Sequence, residues 1–164
     1  MKVGHKLEQK IISDSQVIEL LVEDGSTPCI YLVTSPFESM RDAIDLLPSW
    51  VNEFRVPIAT FVYDLIPKLF PEIYLPDQVA RRWYQTRLAL IQSSDLLLTI
   101  SDATRRDELS ELGVKSSSVV NIGAGVNTDF FTPGDLEHCD GRKQQVVCVA
   151  GYEPRKNVPR LLEA

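Results

Sequence analysis

The sequence predicts an α/β fold, a Rossmann-like parallel sheet with helices on both faces, because apolar runs alternate with helical patterns along the chain. Four apolar runs predict strands, over residues 29–34, 57–63, 96–100 and 119–122. Runs without polar alternation are typical of strands that are buried on both faces, as in parallel sheets. A fifth run, residues 146–150, predicts one more buried strand, followed by a short loop and the start of a helix.

Helical patterns separate these runs. A first helix is predicted over 15–24, and shorter helical segments over 39–47 and 49–54 lie on either side of Pro48. Asp77 is suited to cap a helix over 77–93, and Ser101 to cap one over 102–112 that Gly113 closes. Residues 64–71 contain two prolines and predict a loop.

The helix over 77–93 mixes aromatic and basic residues, a mixture that also occurs in membrane-surface and RNA-binding helices. Its apolar side carries Val79, Trp83 and Leu90, while Arg81 and Arg82 face away from that side. The continuous stripe favours a helix packed on a sheet over either alternative.

Composition limits the classes of partner. The 164 residues include 17 basic and 23 acidic side chains, a net charge of −6, which argues against nucleic acid as the main partner. No apolar stretch approaches the roughly 20 residues that span a bilayer, and the first ten residues do not resemble a secretory signal. The spacing of Cys29, Cys139 and Cys148 does not suit a metal, so no metal site is expected. Cys29 and Cys148 fall in predicted strands, where a buried free thiol in a reducing cytoplasm is the usual interpretation.

The last predicted unit is a strand, a short loop and a helix. Asn157 is suited to cap the helix, and Arg155 and Lys156 come directly before it. A helix N-terminus beside two cations suits an anion such as phosphate, although from spacing alone two solvated loop charges are the favoured interpretation. Residues 132–144 are polar and aperiodic and predict an inter-domain linker, which divides the chain into domains over 1–131 and 145–164.

Four landmarks in this order resemble the family-4 retaining glycosyltransferases, which have the GT-B architecture and are also called glycosyl transferases group 1. They are FVYDLIPKLFPE (61–72), LLLTISDATRRDEL (96–109), VVNIGAGVNTDFF (119–131) and VVCVAGYEPRKNVPRLLEA (146–164). The resemblance covers most of the chain from about residue 29. It implies two Rossmann-like domains, an acceptor-binding one first and a donor-binding one second. It also implies transfer of a sugar, with retention, from a nucleotide diphosphate sugar to a sugar or glycolipid acceptor, without a cofactor.

The resemblance assigns roles to residues of both domains, which in such enzymes face each other across a cleft. Lys156, with Arg155 and Gly151, falls where the family binds the donor diphosphate, although Tyr152 stands where relatives often have an arginine. Tyr63 replaces a histidine that reaches the transferred sugar in many relatives. Tyrosine can hydrogen-bond or stack on a sugar but is a poor base at neutral pH.

Two further site residues have alternative interpretations. With Tyr63 in the place of the histidine, Asp64 is the better candidate for charge chemistry, or else a turn cap ahead of Pro67. Ser101 is placed to hydrogen-bond the acceptor, and an ordinary helix cap is the favoured alternative.

Several family features do not match. Neither the glycine-rich loop that opens relatives nor their later glutamate pair is found, so the chain resembles a fragment truncated at both ends that is inactive alone. A non-catalytic α/β binding module descended from such an enzyme is the alternative, and a GT-B sugar epimerase is a weaker third. The resemblance places the protein in polysaccharide biosynthesis in the cytoplasm, a location compatible with peripheral contact at the inner face of the membrane.

Overall fold

The computed structural model describes residues 13–23, 29–37, 46–125, 147–149 and 154–163. The chain divides into two units, Met1–Gly125 and Val126–Ala164, and each is considered by itself. The predicted linker over 132–144 and most of the predicted helix over 39–47 lie outside the described residues. Among the residues described, no helix has both the length and the apolar character needed to cross a membrane.

The first unit is built on a four-stranded parallel sheet, which confirms the predicted α/β class. Its strands are β1 (Tyr31–Val33), β2 (Ile58–Val62), β3 (Leu96–Thr99) and β4 (Val119–Asn121). They lie in the order β1-β2-β3-β4, and every neighbouring pair is parallel. A sequential order of this kind corresponds to one half of a Rossmann sheet, on one side of the point where the strand order reverses.

Strand register gives the sheet one deeply buried face. Thr60 pairs with Val33 on one side and with Leu97 on the other, so all three side chains share a face, and each is at most 6% exposed. The described hydrophobic clusters draw their strand residues from this face. On the opposite face Leu32 is 45% and Val120 is 44% exposed, so the described helices cover mainly one face of the sheet.

Seven α-helices complete the described structure. They are α1 (Asp14–Glu23), α2 (Ser49–Glu53), α3 (Ile66–Leu69), α4 (Pro71–Tyr74), α5 (Gln78–Ser93), α6 (Asp102–Glu111) and α7 (Val158–Glu163). The predicted caps of the two longest connecting helices are confirmed, because Asp77 accepts from the Ala80 amide at 2.8 Å and Ser101 from the Thr104 amide at 3.1 Å. Gly113 ends α6 with a φ of +64°.

Two details differ from the predictions for the first unit. Residues 64–71 are not only a loop, because each proline lies in the first turn of a short helix, α3 or α4, where its missing N–H costs nothing. On α5, Val79 is 75% exposed, and the buried stripe instead contains Arg87, whose side chain is fully buried.

The structure departs further from the prediction in the second unit, where a strand is predicted over 146–150. Residues 147–149 form no strand, and Val149 is 95% exposed. A strand requires a paired neighbour, and no described residue of the second unit supplies one. Cys148 is therefore exposed, and Cys29 is exposed because it precedes β1, so the expected burial of both thiols was wrong.

Candidate functional site

A pocket of about 330 Å³ lies at the carboxyl ends of β1 and β2. Ser35 and Phe37 follow β1, and Tyr63 and Asp64 directly follow β2. The helices α3, α4 and α5 close the pocket with Pro67, Tyr74, Leu75, Trp83 and Tyr84. Ligands of open α/β sheets bind beyond the carboxyl ends of the strands, and this volume is at the small end of the range of about 300–1,000 Å³ for ligand pockets.

Aromatic rings line most of the pocket, and three of them hold one another in place. Phe37 stacks on Tyr84 with ring centroids 5.0 Å apart, and it meets Trp83 edge-on at 6.2 Å. The guanidinium of Arg87 lies 5.6 Å from the centre of the Trp83 ring. Such contacts stabilise an aromatic cluster beyond the burial of its area. These rings therefore support one another in the absence of a ligand.

Tyr63 offers an accessible ring at the pocket entrance. Its side chain is 49% exposed, and its ring stacks on Phe61 with centroids 6.5 Å apart. The C–H bonds on one face of a sugar ring carry partial positive charge, which suits the negative face of an aromatic ring. Tyr63 thus presents an aromatic face that is accessible to such a ring.

Asp64 lines the same pocket and also caps a turn. Its Oδ1 accepts a hydrogen bond from the Ile66 amide at 3.0 Å, the geometry of the capping interpretation. The carboxylate remains half-buried at the pocket, so capping and a role at the site are compatible.

Ser101 lies at the end of the neighbouring strand and does not line the pocket. Its hydroxyl caps α6 and lies 3.0 Å from the Thr104 hydroxyl, which in turn donates to the backbone carbonyl of Tyr63 at 2.9 Å. A second contact joins α6 to α3, an ion pair between Lys68 and Glu111 at 3.0 Å. Ser101 therefore supports the segment that carries Tyr63 and Asp64 through Thr104.

The donor-side residues belong to the second unit. Arg155 and Lys156 lie in a 3-10 turn, Pro154–Lys156, and both side chains are exposed. Asn157 stands directly before α7 as predicted, and its carbonyl accepts the Leu161 amide at 3.3 Å. Its φ of +48° is left-handed, a conformation that asparagine tolerates, rather than the extended one usual for a cap. Gly151 lies outside the described residues.

The deepest polar group at the pocket is the hydroxyl of Tyr84, whose side chain is 3% exposed. Burial raises the pKa of Tyr84, the negative charge of Asp64 raises it further, and the backbone N–H of Lys68 opposes the shift. That same N–H donates to the Leu65 carbonyl at 2.9 Å. Tyr84 consequently keeps its proton at neutral pH and is a hydrogen-bond donor.

Reasoning from sequence found two of the pocket's residues and missed the others. The sequence places Trp83 on the apolar stripe of a helix and predicts no role for Phe37, Tyr74 or Tyr84. Tyr84 and Arg87 are three positions apart on α5, which is the spacing of any two neighbours on a packed helix face. This pattern therefore does not distinguish a residue that lines a pocket from one that packs in the core. Within the described ranges, no three His, Cys, Asp or Glu side chains are grouped to hold a metal ion.

Comparison with known proteins gives one consistent result. The chain is 30% identical over 146 residues to the serotype-specific mannosyltransferase WbdA of Escherichia coli, an alignment over 84% of this chain. Two further proteins with the same name and from the same species are each 29% identical over 147 residues. The chain is similar to mannosyltransferases.

The similarity is confined to part of those proteins. The alignments cover 84% of this chain but only 17–18% of the length of each relative. No protein-family model matches the chain, and no solved structure matches it significantly.

Proposed function

We propose that this chain is the acceptor-side part of a glycosyltransferase, with the aromatic pocket at the end of β2 as its sugar-binding site. The pocket carries the proposal, because it combines accessible and buried aromatic rings with the single carboxylate of Asp64 at the ligand-binding edge of a parallel sheet. Similarity to proteins named mannosyltransferases supports the same reaction class. We propose mannose as the transferred sugar and a sugar or glycolipid as the acceptor.

In the proposed reaction a GT-B enzyme transfers the sugar from a nucleotide diphosphate donor with retention. Tyr63 supports a sugar ring, and the negative charge of Asp64 stabilises positive charge that develops on the sugar as its bond to the diphosphate breaks. Lys156, assisted by Arg155, offsets the charge that grows on the leaving diphosphate. The exposed positions of both cations beside the start of α7 are compatible with that role.

Tyr63→Ala tests the pocket. Tyr63 is about half exposed and stacks at the pocket entrance, so its removal should leave the fold intact while removing the ring that supports the sugar. Titration of the ¹⁵N-labelled chain with methyl α-D-mannopyranoside should shift resonances around Asp64 and Trp83 in the wild type. We expect Tyr63→Ala to weaken this binding roughly tenfold, the loss of about 1.4 kcal/mol of contact.

Phe70→Ala is the matched control, because Phe70 is 47% exposed, nearly as much as Tyr63, and does not line the pocket. It should bind the mannoside like the wild type. Equal weakening by both substitutions, or shifts that map away from the pocket, would contradict the proposed site.

A further inference from the structure

Two polar groups of the pocket have complementary hydrogen-bonding needs. No described residue accepts the proton of the Tyr84 hydroxyl, because the nearby Lys68 backbone N–H can only donate and Asp64 is not in hydrogen-bonding geometry with it. Asp64 uses Oδ1 for the Ile66 amide, and no other hydrogen bond to its carboxylate is made within the described part of the chain. The site thus holds an unused donor and an unused acceptor.

The chemistry of these two groups selects among ligand classes. A ligand carboxylate or phosphate would face the negative charge of Asp64 and could not donate to it. An ammonium group could donate to Asp64 but could not accept from Tyr84. A neutral hydroxyl group does both at once, since it is one donor and an acceptor with two lone pairs.

We propose that Tyr84 and Asp64 together bind one hydroxyl group of an uncharged sugar ring, with the Tyr84 hydroxyl donating to it and the Asp64 carboxylate accepting from it. This inference rests on the proposed function and specifies it, because it names the two side chains that distinguish a polyhydroxy ring from an apolar one. The aromatic rings supply contact area without directional selectivity, whereas paired hydrogen bonds reject an analogue that lacks the hydroxyl.

The unpaired Tyr84 hydroxyl lowers the stability of the protein without ligand, and this predicts two measurable effects of its removal. A buried donor without a partner destabilises the fold, and here the phenol oxygen is covered, so side chains above it must shift when a ligand enters. Removing the hydroxyl should therefore stabilise the empty protein and weaken ligand binding. A purely structural hydroxyl would not combine these two effects.

Tyr84→Phe in the 164-residue chain tests the pair, with thermal unfolding and NMR titration of methyl α-D-mannopyranoside as readouts. We expect a melting temperature a few degrees higher and binding about tenfold weaker than in the wild type. Tyr31→Phe is the control, because the Tyr31 hydroxyl is satisfied by the Leu46 carbonyl at 3.0 Å and lies outside the pocket. It should lower the melting temperature and leave binding unchanged.

A set of methyl mannosides, each lacking one hydroxyl, identifies the group that is bound. One of them should bind the wild type and Tyr84→Phe with equal affinity, because the contact is already absent. Mannoside binding that is as tight in Tyr84→Phe as in the wild type would overturn the pair while leaving the sugar pocket intact. Absence of mannoside binding to the wild type would overturn both.

Discussion

Glu108 has a buried carboxyl group that makes no hydrogen bond to any described residue. Its side chain on α6 is fully buried, and neither carboxylate oxygen has a hydrogen-bond partner among the residues described. Burial raises the pKa of Glu108 to about 7 from the ordinary 4.5. The folded protein therefore binds this proton more tightly than the unfolded chain does.

The raised pKa predicts a loss of stability as the pH rises. The contribution of Glu108 is most favourable below pH 4.5, where it is protonated in both states, and is lost between pH 4.5 and about 7. Glu108→Gln stays neutral at every pH, so we expect it to match the wild type at pH 4 and to exceed its unfolding free energy by about 3 kcal/mol at pH 8. Urea denaturation across this pH range measures the difference.

Glu111→Gln provides the comparison on the same helix. Glu111 pairs with Lys68 at the surface, where an ion pair contributes under about 1 kcal/mol. A difference between Glu108→Gln and wild type that stayed constant with pH would contradict the assignment of a raised pKa to Glu108.

The end of α2 is held by a capping motif with an unfavourable residue in it. The Val56 amide donates to the Val51 carbonyl at 2.9 Å and the Arg55 amide to the Asn52 carbonyl at 3.3 Å, the two hydrogen bonds of a Schellman motif. Arg55 occupies its left-handed position with a φ of +52°. Glycine usually takes this position, because a Cβ there costs roughly 1–2 kcal/mol.

Arg55→Gly should therefore stabilise the protein. Relief of the strained backbone exceeds the extra freedom that glycine gives the unfolded chain, so we expect a gain of about 0.5–1 kcal/mol in chemical denaturation. Glu53→Gly, two residues earlier within α2, should instead cost about 1 kcal/mol. If both glycine substitutions lowered the unfolding free energy, the Arg55 side chain would stabilise the protein by more than its left-handed backbone destabilises it.

For the protein as a whole, activity requires that donor and acceptor be held together. The chain spans only 18% of the length of the WbdA relative, and the described residues of its second unit comprise three residues without regular structure, a 3-10 turn and α7. We expect the 164-residue chain to bind methyl α-D-mannopyranoside but to transfer no mannose from a nucleoside diphosphate mannose. Radiolabel incorporation into a mannoside acceptor measures this.

A chimera separates a transferase from a binding module. A chimera in which this chain replaces the aligned segment of the E. coli relative should retain mannosyl transfer. Asp64→Asn in that chimera should lower the rate of transfer by roughly two powers of ten. Asp77→Asn is the control, since the Asp77 carboxylate, like that of Asp64, accepts a hydrogen bond from a nearby backbone amide, but Asp77 lies outside the pocket. Transfer by the isolated chain would contradict the need for a second domain.

Most of the first unit's fold was predictable, because its signals are local. The strand runs and the caps at Asp77 and Ser101 depend on residues within a few positions of one another, and the structure confirms them. Within the predicted strand over 146–150, the described residues 147–149 form no strand, since an apolar run becomes a strand only where another strand pairs with it. The donor-side assignments of Arg155, Lys156 and Gly151 stay predictions.

The sequence by itself determined the strand and helix segments, the helix caps and the presence of Tyr63 and Asp64 at a strand end. Only the tertiary structure decided that Phe37, Tyr74, Trp83 and Tyr84 join them in one pocket, and that Glu108 is buried without a partner. The physical reason is range. Caps and periodicity are set by hydrogen bonds and burial within one or two turns, whereas the pocket depends on parallel register between strands about 30 residues apart and on the rotation of α5 against the sheet.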